Sequence, residues 1–91
     1  MALGIYFTPT SFARETYDET INRLEAVEAG APPGRLYHVA LEGEGGIHVF
    51  DIWESQEQLD EFGKTLLPIL NELGIDLGEP YVHQVHNVIQ G

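Results

Sequence analysis

The chain has 91 residues and a formal charge of −11, so it forms one small domain that spans residues 1–91. A domain of this size buries only roughly 60–65% of its unfolded surface, so pairing with a second chain would add stability. The charge repels phosphate backbones and anionic lipid, which disfavours nucleic acid and membranes as partners. The chain has no cysteine, which excludes disulfides and thiolate metal sites. No signal peptide is visible at the start, so we expect a cytoplasmic protein.

The first third of the chain predicts a strand followed by a helix. Residues 3–8 are rich in aromatic and aliphatic side chains, as strands are. Either Thr10 or Ser11 is placed to cap the helix that follows. Gly30 is placed to end that helix as a left-handed cap, before two prolines. The apolar side chains of the helix recur at spacings of four, three and three: Tyr17, Ile21, Leu24 and Val27.

The middle of the chain predicts two strands and a second helix. Residues 35–41 and 47–54 read as strands joined by a polar, glycine-rich hairpin connection. Ser55 begins a capping box that opens the helix. Pro68 should kink the helix or restart it, and Gly74 should end it. The apolar face of this helix contains Leu59, Phe62, Leu66, Ile69 or Leu70, and Leu73.

A last strand is predicted over residues 79–89, which completes the order βαββαβ. This order consists of two βαβ-like halves. Together they predict an α+β, ferredoxin-like domain with a four-stranded antiparallel sheet and both helices on one face. Right-handed crossovers make 4-1-3-2 the natural strand order.

Both faces of the predicted sheet are apolar, although two helices can cover only one of them. In the third strand, Val49 and Trp53 point to one side, while Phe50 and Ile52 point to the other. A second copy of the sheet is the simplest cover for the remaining face. It would remove roughly 500 Å² of apolar surface per chain, worth on the order of 10 kcal/mol before association costs. We therefore expect a homodimer through the sheet face.

The segment Asp51-Ile52-Trp53-Glu54-Ser55-Gln56-Glu57-Gln58-Leu59-Asp60-Glu61-Phe62 resembles the dimeric α+β barrel superfamily. The resemblance lies in a strand that ends in tryptophan, a serine cap and an amphipathic helix with an early aromatic residue. More narrowly, the segment is similar to antibiotic-biosynthesis-monooxygenase-like domains. These include cofactor-independent quinone-forming oxygenases, haem-degrading monooxygenases and many members with no assigned activity.

The haem-degrading branch implies three residues around its cofactor: an asparagine on the first strand, a tryptophan, and a histidine on the second helix. Trp53 matches the tryptophan. Residues 3–8 contain no asparagine, and residues 57–73 contain no histidine. The sequence therefore departs from the haem-degrading pattern, and we expect no tightly bound cofactor.

The resemblance places Trp53 toward the helices, and Asp51 has the same parity. A carboxylate in that layer would be desolvated and its pKa raised, which suits a general base acting on a phenol or enol. Tyr37, on the neighbouring strand, could lie close to Asp51 and form an aromatic wall with Trp53. The alternative is that Asp51 bonds backbone or Arg35, and that Trp53 is simply core.

All four histidines lie in predicted strands. His83 has the parity of Tyr81 and Val85, so it would face the helix-side pocket and contact substrate. The other three share the parity opposite Trp53, which directs them toward the dimer interior: His38, His48 and His86. There they could form a metal-binding or pH-sensitive interface, or each could satisfy its polar atoms locally at a strand end. They lack a compact metal-ligand spacing, so no metal is expected.

Two functions remain open at this stage. The first is an enzyme with Asp51 as base and Trp53 as wall, which oxygenates or isomerises a small apolar or aromatic molecule. Tyr37 and His83 would supply its polar contacts. The second is a non-catalytic dimeric module that binds a ligand or a partner, with Asp51 and the histidines serving structure.

Overall fold

The computed structural model describes residues 2–91. The four strands form one antiparallel sheet in the order β2-β3-β1-β4, which is the predicted 4-1-3-2 read from the other edge. The predicted ferredoxin-like α+β fold is confirmed. The elements in chain order are β1 (Leu3–Phe7), α1 (Arg14–Ala26), β2 (Arg35–Gly43), β3 (Gly46–Trp53), α2 (Gln56–Glu72) and β4 (Tyr81–Gln84).

Both helices pack on the same face of the sheet. Alternate residues of β3 are buried beneath them, and the ring of Trp53 lies 5.4 Å from that of Phe62 on α2. This confirms that Trp53 faces the helices. The core consists of two clusters, one of Ile5, Leu24, Trp53 and Phe62, and one of Phe12, Ile47, Val49 and Leu70.

Helix α1 begins later than the sequence predicts. Its N-cap is Ala13, with no side-chain cap, so the predicted cap at Thr10 or Ser11 is wrong. The reason is a contact with β3: Phe12 is buried, and its carbonyl accepts the Ile47 N–H at 2.7 Å. This bond ties Phe12 to β3, and the helix begins two residues later, at Arg14.

The end of α1 also differs from the prediction. Val27 is exposed and lies outside the buried stripe. Glu28, rather than Gly30, takes the left-handed conformation, with φ of 60°. The Ala29 N–H then bonds the Leu24 carbonyl at 2.7 Å and closes a Schellman cap. The cap therefore forms two residues before the glycine.

Helix α2 follows its sequence signals closely. The Ser55 hydroxyl accepts the Gln58 N–H at 3.2 Å, which confirms the predicted cap. Gly74 has φ of 73°, and the Ile75 N–H bonds the Leu70 carbonyl at 2.9 Å, which confirms the predicted end. Pro68 lies within the helix but does not divide it.

Strand β4 spans Tyr81–Gln84 and is shorter than the predicted 79–89. Its one neighbour in the sheet is β1, and the last bond between the two segments joins the Val85 N–H to the Ala2 carbonyl at 2.9 Å. Residues after Val85 extend past the end of β1, and among residues 2–91 no other strand pairs with them. Within residues 2–91, no helix has the length and apolar character to cross a membrane.

The strain at Glu28 predicts a stabilising substitution. A non-glycine residue in the left-handed region costs about 1 kcal/mol, so Glu28→Gly should raise the free energy of unfolding by up to about 1 kcal/mol. Urea denaturation measures the change. Glu28→Ala is the matched control, since it removes the same charge but keeps the strain. Equal stabilisation by both variants would show that charge, and not conformation, is responsible.

Candidate active site between sheet and helices

A chain of hydrogen bonds joins three polar side chains in the layer between the sheet and the helices. The Tyr17 hydroxyl on α1 lies 2.7 Å from His38 Nε2 on β2. His38 Nδ1 lies 2.5 Å from Asp51 Oδ1 on β3. The pairing of β2 with β3 sets His38 directly opposite Asp51. We refer to Tyr17, His38 and Asp51 as the relay.

The partners fix the direction of each bond. A carboxylate only accepts hydrogen bonds, so His38 Nδ1 carries a hydrogen and donates a hydrogen bond to Asp51. In the neutral ring Nε2 is then an acceptor, and the Tyr17 hydroxyl donates to it. With the neutral ring, the relay places a hydrogen-bond-accepting nitrogen behind a phenol, in the arrangement by which a third group orients a base.

Asp51 is buried, with 6% of its surface exposed. Its second oxygen accepts the indole N–H of Trp53 at 3.2 Å, so the carboxylate receives two hydrogen bonds. Trp53 is itself fully buried. A buried carboxylate is tolerated when such donors replace water, and here they also fix its orientation toward His38.

The relay borders a small cavity of about 50 Å³. This volume holds a water molecule or two, whereas a site for a drug-sized ligand takes roughly 300–1,000 Å³. Phe12 and Leu77 are among the apolar residues that close it. The polar residues along its wall are Tyr17, Thr20, Arg35, His38 and Asp51.

A much larger, open groove of about 1140 Å³ runs along α2 beside this cavity. The two spaces are neighbours, because several apolar residues line both. These shared residues are Phe7, Phe62, Leu66, Leu70 and Leu77. Leu77 lies in the irregular segment after α2 and packs, partly buried, against the second core cluster.

Burial raises the pKa of Tyr17 above its ordinary value, and the negative charges of Asp51 and Asp18 act in the same direction. Arg35 opposes this shift, since its positive charge favours the tyrosinate. The phenol consequently keeps its proton through neutral pH.

The structure separates the predicted site residues. Asp51 and Trp53 lie together on the helix side, as the sequence predicts. Tyr37 pairs with Ile52 and points to the opposite, open face, where it is half exposed. His83 pairs with Gly4 and points to the same open face. The register of β2 and β4 therefore places Tyr37 and His83 away from Asp51.

His38 and Tyr17 are the residues that the sequence-based reasoning missed. The sequence predicts His38 on the side opposite Trp53, but its pairing with Asp51 places it toward the helices. His48 does face the open side, and its Nδ1 lies 3.4 Å from the Tyr6 hydroxyl. His86 falls beyond β4, outside any strand. The signal that identifies His38 is the turn at residues 44–45, since a two-residue hairpin loop fixes the register.

No group of three histidine or acidic side chains with the geometry of a metal site occurs in the part of the chain that the structure describes.

Solved structures with this fold cover nearly the whole chain. One, from Chloroflexus aurantiacus, carries the provisional name antibiotic biosynthesis monooxygenase and matches with a TM-score of 0.68 and 13% identity, over 99% of this chain and 98% of that chain. Another is SnoaB from Streptomyces nogalater, described as a cofactor-independent oxygenase. It matches with a TM-score of 0.62 and 17% identity, over 99% and 96% of the two chains.

A third similar structure is Rv0793 from Mycobacterium tuberculosis, with a TM-score of 0.55 and 18% identity over 98% of this chain and 95% of that chain. No protein-family model matches the sequence, and no curated protein shows significant sequence similarity. The fold is thus that of antibiotic-biosynthesis-monooxygenase-like proteins, which confirms the resemblance at the level of the fold.

The raised pKa of Tyr17 predicts how stability changes in alkali. The native state holds this proton to higher pH than the unfolded chain, whose tyrosine has a pKa of 10.0. The linked stability is complete below that pH and is lost as the pH rises through the native value. Tyr17→Phe should therefore lose less stability than the wild type between neutral and strongly alkaline pH.

Urea midpoints measured along this pH range test the prediction. Parallel curves for Tyr17→Phe and the wild type would contradict the assignment.

Proposed function

We propose that the protein is a cofactor-independent enzyme that removes a proton from an acidic phenol, enol or activated C–H group at the relay. The observation that carries this proposal is the hydrogen-bonded chain Tyr17–His38–Asp51 beside a cavity. The fold shared with a described cofactor-independent oxygenase supports it as an analogy.

In the proposed mechanism, Tyr17 is the group that touches the substrate. The Tyr17 oxygen receives the substrate's proton while the Tyr17 proton passes to His38 Nε2, 2.7 Å away. His38 becomes an imidazolium, and Asp51 stabilises it through the bond at Nδ1. Asp51 and Trp53 act through His38, so they are positioning residues in this scheme.

The anion formed by proton transfer has two fates. Reprotonation at a different atom gives an isomer. Reaction with dioxygen converts a CH₂ group into a carbonyl, with the second oxygen atom and both hydrogens leaving as water. A low-dielectric site surrounded by apolar residues favours either outcome, because it excludes bulk water from the anion.

A substrate larger than the cavity needs additional space. We place its apolar body in the groove along α2 and its acidic group at Tyr17. The joining of the two spaces would require displacement of side chains that line both, Leu77 among them.

The alternative function is a non-catalytic binding module. The small volume beside the relay favours it, because the cavity is too small for a ligand without rearrangement. The relay favours the enzyme, because it sets a continuous chain of proton donors and acceptors beside a cavity. The activities of the relay variants distinguish the enzyme from the binding module.

We also propose that the protein is a homodimer through the open face of the sheet. Apolar side chains on this face are exposed in the single chain, with Tyr37 at 50%, Leu41 at 46% and Tyr81 at 62%. Tyr6 and Phe50 pack edge to face on the same side. A sheet from a second copy would cover these residues. A cytoplasmic location stays a prediction.

Relay substitutions test the enzymatic proposal. With anthrone as probe, oxygen uptake and formation of the quinone should fall by about 10²–10⁴-fold in His38→Gln and in Asp51→Asn. His38→Gln retains an amide that can donate to Asp51, so the fold should persist. Tyr17→Phe should also lose activity, because the phenol carries the proton.

The matched control for these variants is His86→Gln, which removes an exposed histidine far along the chain from the relay. It should keep wild-type activity. No quinone formation by the wild type, or full activity in His38→Gln, would favour the binding module.

The dimer is tested by its mass in solution. Light scattering should give about twice the 10.1 kDa of one chain. Leu41→Glu places a charge on the open face and should give the monomer mass, because a buried unpaired charge opposes association. Val27→Glu is the control, since Val27 is 59% exposed after α1, away from the sheet face. A wild-type protein at the mass of one chain would contradict the proposal.

A further inference from the structure

A β-bulge in β2 changes which side chain lies beside the site. His38 pairs with Asp51 and Tyr37 with Ile52, so a regular ladder would set Leu36 opposite Trp53. Instead, Arg35 pairs with Trp53. The Gly34 carbonyl then accepts the Glu54 N–H at 2.8 Å, so the shifted register continues beyond the bulge.

The bulge exchanges a leucine for an arginine on the helix side of the sheet. Trp53 faces the helices, and its partner Arg35 lies on the same side, half-buried and lining the small cavity. Leu36 is the extra residue, and it is 54% exposed. Bulges near functional sites commonly re-aim a side chain in this way.

Arg35 is unusual among the basic residues of this acidic protein. Arg14, Arg23 and Lys64 each pair with a carboxylate on the surface. Within residues 2–91, no such pair involves Arg35. Its Nη2 donates to the Gly30 carbonyl at 2.8 Å, which uses one of its five N–H groups.

The position of Arg35 gives the cavity a cation close to the relay. Its charge reaches Tyr17, where it opposes the effect of Asp51 on the phenol. A chain with a formal charge of −11 repels anions in general, so a local guanidinium is required if an anion is to bind here.

We propose that Arg35 is a specificity-determining residue that binds a carboxylate on the substrate. The substrate class is then an aromatic or enolic carboxylate, with its acidic group at Tyr17 and its carboxylate at Arg35. A guanidinium is suited to this role because it can bind a carboxylate through two parallel hydrogen bonds. This inference rests on the proposed use of the cavity by the substrate.

The test uses a matched pair of small probes, salicylate and salicylamide, which share a phenol and differ in charge. Binding is followed by the fluorescence of Trp53, the one tryptophan in the chain. At mildly acidic pH, where salicylamide is neutral, the wild type should bind salicylate at least about tenfold more tightly. Arg35→Gln should abolish this preference, and Arg35→Lys should keep part of it.

Two variants separate the possible explanations. Arg14→Gln removes a positive charge that does not line the cavity and should keep the preference of the wild type. His38→Gln should keep the preference even though it stops proton transfer, so failure of the proposed reaction is distinguishable from failure of this inference. Equal binding of the two probes by the wild type, binding of neither, or an unchanged preference in Arg35→Gln would overturn the proposal.

Discussion

The burial of Asp51 is the constraint on which the rest of the site depends. A carboxylate on the helix side of β3 stands in a row with Ile47, Val49 and Trp53, where water is excluded. It is tolerable only if donors replace its hydration. Trp53 supplies one donor from the same strand, and His38 supplies the other from β2. The same two bonds that satisfy Asp51 also fix the tautomer of His38 and so define the relay.

Much of the fold follows from local sequence patterns, namely helix caps and the alternation of side chains along strands. Ser55 and Gly74 mark the two ends of α2, and both act as caps in the structure. The placement of Trp53 and Asp51 on one side of β3 follows from strict alternation along a strand. Each of these features is set by neighbours within a few residues, which is why the sequence alone predicts them.

The features that the sequence did not predict depend on contacts between distant segments. Whether Tyr37 or His38 meets Asp51 is decided by the β2–β3 register, and a slip of one residue exchanges the two faces. The later start of α1 depends on the bond between Phe12 and Ile47. Tyr17 reaches His38 only because α1 packs on the helix side of the sheet, which no spacing within α1 reveals.

The bulge at Leu36, which the sequence did not predict, determines which side chain of β2 lies beside Trp53. The alternation of β2 alone would place Leu36 with His38 on the helix side and make that layer wholly apolar beside Trp53. One extra residue instead places Arg35 there, next to a phenol, an imidazole and a carboxylate. A core selected only for packing favours the leucine, because burying a guanidinium costs more than burying a hydrocarbon chain. The departure from the regular ladder therefore supports a role for this layer in binding, beyond its role in holding the helices to the sheet.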